Sequence, residues 1–101
     1  MDAFSPDEYS DLKQKMDKLH IDTVLIMSRV SRGETNEQIV AWSKGYSFSL
    51  RRVEQALIEI YNVFGLKALA DENEKRVQAG ALYKRYYALR VVACTTNRKA
   101  G

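Results

Sequence analysis

Apolar residues recur along the first third of this chain at intervals of three and four, the spacing of one face of an α-helix. The members of this face are Leu12, Met16, Leu19, Thr23, Ile26 and Val30. The pattern predicts helix between residues 7 and 32. It leaves open whether the segment is one helix or two, because Asp22 can cap a restart at Thr23.

Residues that begin and end helices divide the chain further. Ser5 can cap a helix whose first position is Pro6, which needs no amide hydrogen there. Gly33 is placed to end the segment that follows. Thr35 and Gln38 then have the spacing of a capping box, in which each side chain satisfies the other residue's amide.

A turn in the middle of the chain separates two predicted helices. The first runs from about Asn36 to Lys44 and ends where Gly45 can take the left-handed conformation. Trp42 is more typical of a core residue than of a stacking platform. Ser47 or Ser49 can cap the second helix, whose apolar positions are Val53, Ala56, Leu57, Ile60 and Phe64, up to Gly65.

The last predicted helix spans about residues 70–93, and the chain shows neither an internal repeat nor the alternation typical of a sheet. Its 101 residues fit one domain, and the 46% apolar content predicts a folded core. We therefore expect a single all-α domain over residues 1–101. It would contain four to five helices, a central helix-turn-helix at about 34–66 and a long C-terminal helix.

Charge and residue usage narrow the classes of function. The net charge is +3, and the basic excess lies at the C-terminal end, where residues 66–101 hold eight Lys/Arg against three Asp/Glu. The single thiol, Cys94, and the absence of a leader pattern favour the cytosol, and no apolar run is long enough for a membrane span. His20 has no partner at metal-ligand spacing, and no phosphate loop or nucleophile motif occurs. We expect no metal, no cofactor and no enzymatic activity.

Two helices joined by a turn, the second beginning with basic residues, are typical of a helix-turn-helix that places its second helix in the DNA major groove. Arg51, Arg52 and Gln55 avoid the apolar stripe, and Arg and Gln side chains match base edges. Lys and hydroxyl groups in the turn suit phosphates, although an ordinary turn would use the same residues. The candidate contacts to double-stranded DNA are Lys44, Tyr46, Ser47, Ser49, Arg51, Arg52 and Gln55.

The aromatic and basic segment 83–90 of the last helix has two interpretations. It suits a nucleic-acid backbone, and it equally suits a protein interface, where tyrosines are enriched. A chain of this size commonly covers apolar surface with a second copy, so we favour a homodimer. The candidate dimer contacts are Leu82, Tyr83, Tyr86 and Leu89.

Two stretches carry a resemblance to a known family. Gly33-x-Thr35-Asn36-Glu37-Gln38-Ile39 and Val53-x-x-x-Leu57-x-x-Ile60-Tyr61-x-x-Phe64-Gly65-Leu66 resemble the helix-turn-helix domain of the LuxR/FixJ type over roughly residues 24–70. The resemblance implies transcription regulation, with the helix that ends at Gly65 in the groove. The longer turn, and Glu54 and Ala56 within the second helix, depart from that family. In length, a single helix-turn-helix and dimerisation the chain is also similar to plasmid and fimbrial regulators of the TrfB and PapB type.

Two hypotheses of function follow. The first is a sequence-specific DNA-binding transcription regulator that acts as a homodimer. The second is a protein-binding modulator that keeps the helical scaffold and binds another regulator protein, which Glu54 and Glu59 favour. The charge around the second helix distinguishes them, because DNA binding needs cations that release phosphate counterions.

Overall fold

The computed structural model describes residues 6–45 and 47–100, and the side chains of the last helix as far as Thr95. Within these residues there are five α-helices and no strand. The α-helices are α1 (Pro6–Asp17), α2 (Ile21–Val30), α3 (Asn36–Trp42), α4 (Leu50–Phe64) and α5 (Glu72–Ala100). Short 3-10 turns follow α3 at Ser43–Gly45 and α4 at Leu66–Ala68. The predicted all-α fold with four to five helices and a long last helix is confirmed.

Residues 7–32, for which the sequence did not distinguish one helix from two, form two helices. Pro6 is the first residue of α1, as expected, whereas Ser5 lies outside the described residues. The chain leaves α1 after Asp17 and restarts at Ile21, with His20 in extended backbone at the capping position. Asp22 therefore lies inside α2 and does not cap it, and the restart falls two residues before the position we expected.

The capping box that begins α3 forms as predicted. The amide of Gln38 donates to the Thr35 hydroxyl at 3.2 Å, and the amide of Thr35 donates to the Gln38 side chain at 2.8 Å. Each side chain thus satisfies an amide that has no partner within the helix. The start of α3 is fixed by residues that are neighbours in the sequence.

The turn between α3 and α4 differs from the prediction. Gly45 does not take a left-handed conformation, and Ser47 does, with φ of 59°. The reason is that the 3-10 turn continues right-handed backbone through Gly45, and the amide of Ser47 donates to the Ser43 carbonyl at 2.7 Å. The reversal of the chain therefore falls later than expected, beside Ser49, which caps α4 by accepting from the Arg52 amide.

Helix α4 supplies the centre of the core, and it contacts α2, α3 and α5. It ends at Gly65 in the left-handed conformation, as predicted. Phe64 is only half-buried, and Tyr61 takes the buried place that we expected for Phe64. The buried side chains of α4 are Val53, Ala56, Leu57, Ile60 and Tyr61.

Helix α5 begins at Glu72 and continues past the predicted end at residue 93. It crosses the end of α2 closely at Gly80, where a Cβ atom would lie 3.0 Å from the Cα of Ser31. This distance is shorter than ordinary van der Waals contact, and the atom that is met belongs to the backbone. The two helices would have to separate to accept a larger residue.

We predict that Gly80→Ala lowers the free energy of unfolding by up to about 2 kcal/mol, because the cost of displacing the Ser31 backbone, about 1–3 kcal/mol, exceeds the gain of about 1 kcal/mol from Ala over Gly inside a helix. For a domain of this size that corresponds to a Tm lower by roughly 4–8 °C per kcal/mol, measured by circular dichroism. Gly45→Ala is the control, because no atom lies within 4 Å of a Cβ there. Equal Tm values for the two variants would contradict the close crossing.

Candidate nucleic-acid interface

The face of α4 opposite its buried stripe is open to solvent. Its exposed members recur at helical spacing: they are Arg51, Glu54, Gln55, Ile58 and Asn62. The arrangement follows from the amphipathic sequence of α4, because burying one stripe against the core leaves the opposite stripe outside. The N-terminal half of this face is polar and carries the sequence-predicted contacts, whereas Ile58, 56% exposed, is apolar.

Arg51 and Gln55 are one helical turn apart at the start of α4 and both are exposed. No hydrogen bond or ion pair joins either side chain to another described residue. Lys44 and Ser47 are also exposed in the preceding turn. A guanidinium and a side-chain amide are thus available to an external partner at one end of the helix.

The other predicted turn residues have different positions. Ser49 is exposed and uses its oxygen to accept the Arg52 amide at 3.1 Å, which leaves its hydroxyl proton free to donate. Tyr46 lies outside the described residues. The predicted group is therefore represented by Lys44, Ser47, Ser49, Arg51 and Gln55 at one end of α4.

The prediction that Arg52 reaches outward needs correction. Arg52 is half-buried, and its guanidinium donates from Nη2 to the hydroxyl of Thr23 at 3.2 Å. Thr23 is fully buried on α2. Arg52 therefore connects α4 to α2 inside the protein, and Arg51 is the arginine of this pair that solvent reaches.

A polar cluster at this junction, formed by His20, Thr23, Arg52 and Glu59, was missed by the sequence reasoning. The Thr23 hydroxyl donates to Glu59 Oε1 at 2.7 Å, and the His20 amide donates to Glu59 Oε2 at 2.9 Å. The His20 ring nitrogen Nδ1 lies 3.1 Å from the same oxygen. Arg52 and Glu59 are seven residues apart on one edge of the apolar stripe, and this spacing was the available signal.

Burial acts to raise the pKa of Glu59, but the hydrogen bonds from Thr23 and from the His20 amide and ring outweigh it. The pKa of this carboxyl is therefore held below its ordinary value. A depressed carboxyl pKa stabilises the folded state at neutral pH, and the stabilisation is lost as the pH falls through the folded-state pKa.

We expect Glu59→Gln to be less stable than the wild type near neutral pH. The difference in free energy of unfolding between wild type and variant should shrink as the pH falls from about 5 to about 3. Over this range the wild-type carboxyl takes up a proton, and the stabilisation by its charge is lost. Urea unfolding across this range measures it. A difference in stability that stays constant with pH would show that the charge of Glu59 does not matter.

The two neighbouring arginines give a second testable contrast. Arg52→Ala should lower the free energy of unfolding by about 1 kcal/mol, since it removes a hydrogen bond to a fully buried hydroxyl. Arg51→Ala should leave stability within about 0.5 kcal/mol of the wild type, because its side chain is exposed and unpartnered. Thermal unfolding of both variants measures the two changes in stability. A larger loss of stability in the Arg51 variant would mean that Arg51, and not Arg52, is the arginine that points into the protein.

The charge of this face is not acidic. Arg52 and Glu59 are both held against α2 by the polar cluster, so the exposed charges of this face are Arg51 and Glu54, which balance. Glu54 is the α4 carboxylate on the exposed face. Glu59 therefore presents less acidic charge to a partner than Glu54 does.

The predicted dimer residues also need correction. Tyr86 and Leu89 are 8% and 3% exposed, and they pack within the core of a single chain, where the Tyr86 ring stacks on Tyr9 with centroids 5.9 Å apart. Leu82 and Tyr83 are half-buried against the same core. The large apolar side chains on the described part of α5 that are exposed are Val77, Val91 and Val92.

Metal ligands, the single thiol and membrane-spanning helices are the remaining features to consider in the described part of the chain. No group of three or more His, Cys, Asp or Glu side chains there is arranged to hold a metal ion. Cys94 is a free, exposed thiol. None of the described helices combines the length and the apolar character that crossing a membrane requires.

Comparison of the chain with protein-family models, with curated proteins and with solved structures finds no match. The resemblance to the LuxR/FixJ type consequently rests on the motif residues alone. Any assignment of function has to be argued from the geometry of α4 and its surroundings.

Proposed function

We propose that the chain is a sequence-specific DNA-binding transcription regulator and that the first two turns of α4 enter the major groove. The observation that carries this proposal is the pair Arg51 and Gln55, which are exposed, unpartnered and one turn apart. Arg makes two hydrogen bonds to guanine, and Gln makes two to adenine, in the major groove. The groove is wide enough to admit one α-helix.

The surroundings of this pair suit phosphates. Lys44, Ser47 and Ser49 precede α4 and carry an ammonium and two hydroxyls, which are common donors to the DNA backbone. The amino end of α4 adds the positive end of a helix dipole. A cation at Arg51 is unfavourable in this first turn by itself, and a nearby phosphate would offset the cost.

The proposal includes a homodimer, because helix-turn-helix proteins commonly place two recognition helices one DNA turn apart on a two-fold site. Val92 of α5, which is exposed, replaces Tyr86 and Leu89 as the residue we assign to pairing. Two-fold symmetry of the protein would require a two-fold symmetric DNA site. Sedimentation of the protein over a concentration range tests the pairing.

The test of DNA binding is fluorescence anisotropy with a labelled random-sequence duplex and with a duplex enriched by selection from a random pool. We expect Arg51→Ala/Gln55→Ala to bind the selected duplex at least about 30-fold more weakly, since two bidentate contacts of roughly 1–3 kcal/mol each are lost. Affinity for the random duplex should change less, because base contacts carry the discrimination.

Asn62→Ala is the matched control, because Asn62 lies on the same exposed face at the opposite end of α4. Its affinity for the selected duplex should equal that of the wild type. A double variant that keeps full affinity would contradict the role of Arg51 and Gln55. A wild-type protein that binds no duplex even at low salt would contradict DNA binding altogether.

A second candidate function is a protein-binding modulator. It is favoured by exposed Ile58 beside a groove of about 420 Å³ that Leu57 and Tyr61 also line. Exposed apolar surface in a groove is typical of protein contacts. Ile58→Ser should leave DNA affinity unchanged under our first proposal. Loss of a regulator's binding in that variant, with no DNA binding in the wild type, would favour the modulator.

A further inference from the structure

Helix α5 carries charge of one sign along most of its length. From Lys75 to Ala100 the sequence holds seven Lys or Arg residues and no Asp or Glu. The acidic residues of this helix, Glu72 and Glu74, are confined to its first turn. A helix without carboxylates cannot balance its cations through its own neighbouring turns, so their partners have to come from elsewhere.

Two of these cations have partners within the protein. Arg85 donates from Nε and Nη2 to the two carboxylate oxygens of Glu8 on α1, both at 2.8 Å. Arg76 donates to the Asn36 side chain at 2.7 Å and to the Glu34 carbonyl. These contacts fix α5 against α1 and against the start of α3, so the two side chains are committed to the fold.

Other cations of this region have no such commitment. Lys84 and Arg90 are exposed, and neither forms an ion pair with a described residue. Arg32, just beyond α2, is also exposed and unpaired among the described residues. We call Arg32, Lys84, Tyr87 and Arg90 the α5 flank.

Aromatic rings hold part of the α5 flank in place. The Arg90 guanidinium lies 5.6 Å from the centroid of the Tyr87 ring, which in turn packs on Tyr83 with centroids 4.7 Å apart. Arg32 directly follows Ser31, which lies against Gly80 of α5. Burial raises the pKa of Tyr83, and the positive charge of Arg32 acts in the opposite direction. A cation stacked on a ring loses less side-chain freedom on binding than a free one.

A continuous series of contacts joins the α5 flank to the turn before α4. Helix α5 packs on α2, and its Gly80 lies against Ser31 at the end of α2. Arg29 on α2 lies 4.5 Å from the ring centroid of Trp42, the last residue of α3. Trp42 directly precedes the turn that carries Lys44. The two groups of unpaired cations are thus attached to the same packed elements.

We propose that the α5 flank is a second DNA contact, which binds the phosphate backbone of the duplex whose bases α4 contacts. This inference rests on the proposed function. Cations that form no ion pair within the described residues suit a polyanion, and Lys84 and Arg90 present charge without the donor pattern that distinguishes bases. The flank should therefore contribute affinity that depends on salt and is independent of sequence.

The experiment measures the salt dependence of binding for Lys84→Ala/Arg90→Ala, with both the random duplex and the selected duplex. The slope of log K against log salt should fall in magnitude by about 0.9 for each phosphate that the protein no longer neutralises, hence by about 2 per chain. The fall should be the same for both duplexes, and the preference for the selected duplex should stay unchanged.

Lys13→Ala/Lys15→Ala is the matched control, since it removes the same charge from α1, where both lysines pair with aspartates of that helix. Its slope should equal that of the wild type. Circular dichroism shows whether each variant is folded.

If the Lys84→Ala/Arg90→Ala variant has the same slope of log K against log salt as the wild type, the second contact is wrong. DNA binding by α4 would not be affected by that result. A fall of equal size in the control would also overturn the second contact, because only net charge would then matter. Absence of any wild-type DNA binding at low salt would overturn the proposed function together with this inference.

Discussion

Burial of one face of α4 is the constraint on which the rest of the molecule depends. Val53, Ala56 and Ile60 have no exposed surface, and α2, α3 and α5 all contact this helix. Burying a side chain of the size of Val or Ile contributes roughly 1.5–3 kcal/mol, so these positions hold the helices together. The same burial leaves the opposite stripe of α4 in solvent, and the candidate interface is therefore a consequence of the core.

The polar cluster at the edge of the core sets how α4 is turned about its own axis. Glu59 is held by the Thr23 hydroxyl and the His20 amide, and Arg52 bonds the same threonine. Since Thr23 is fully buried, these bonds leave α4 little freedom to rotate. Arg51, the neighbour of Arg52, then has to face solvent. A contact inside the protein thereby determines which arginine is available to an external partner.

Most of the correct predictions depend on neighbours in the chain, and the errors at the site depend on distant residues. Two local predictions were also wrong, the restart of α2 and the left-handed residue of the turn before α4. The capping box at Thr35, the end of α4 at Gly65 and the stripe from Val53 to Ile60 are local patterns, and each was predicted. The inward bond of Arg52 needs Thr23, which is 29 positions away, and the burial of Tyr86 needs Tyr9 on α1. No periodicity within α4 or α5 contains that information, so half of the candidate dimer surface was placed on the wrong side of α5.

Amide chemical-shift mapping during titration with a random duplex at low salt shows whether the first two turns of α4 contact DNA. We expect the resonances of Lys44, Ser47, Arg51 and Gln55 to shift, while those of buried Val53 and Ile60 move less. Shifts confined to Ile58 and the groove beside Tyr61, or no shifts at all, would contradict this contact.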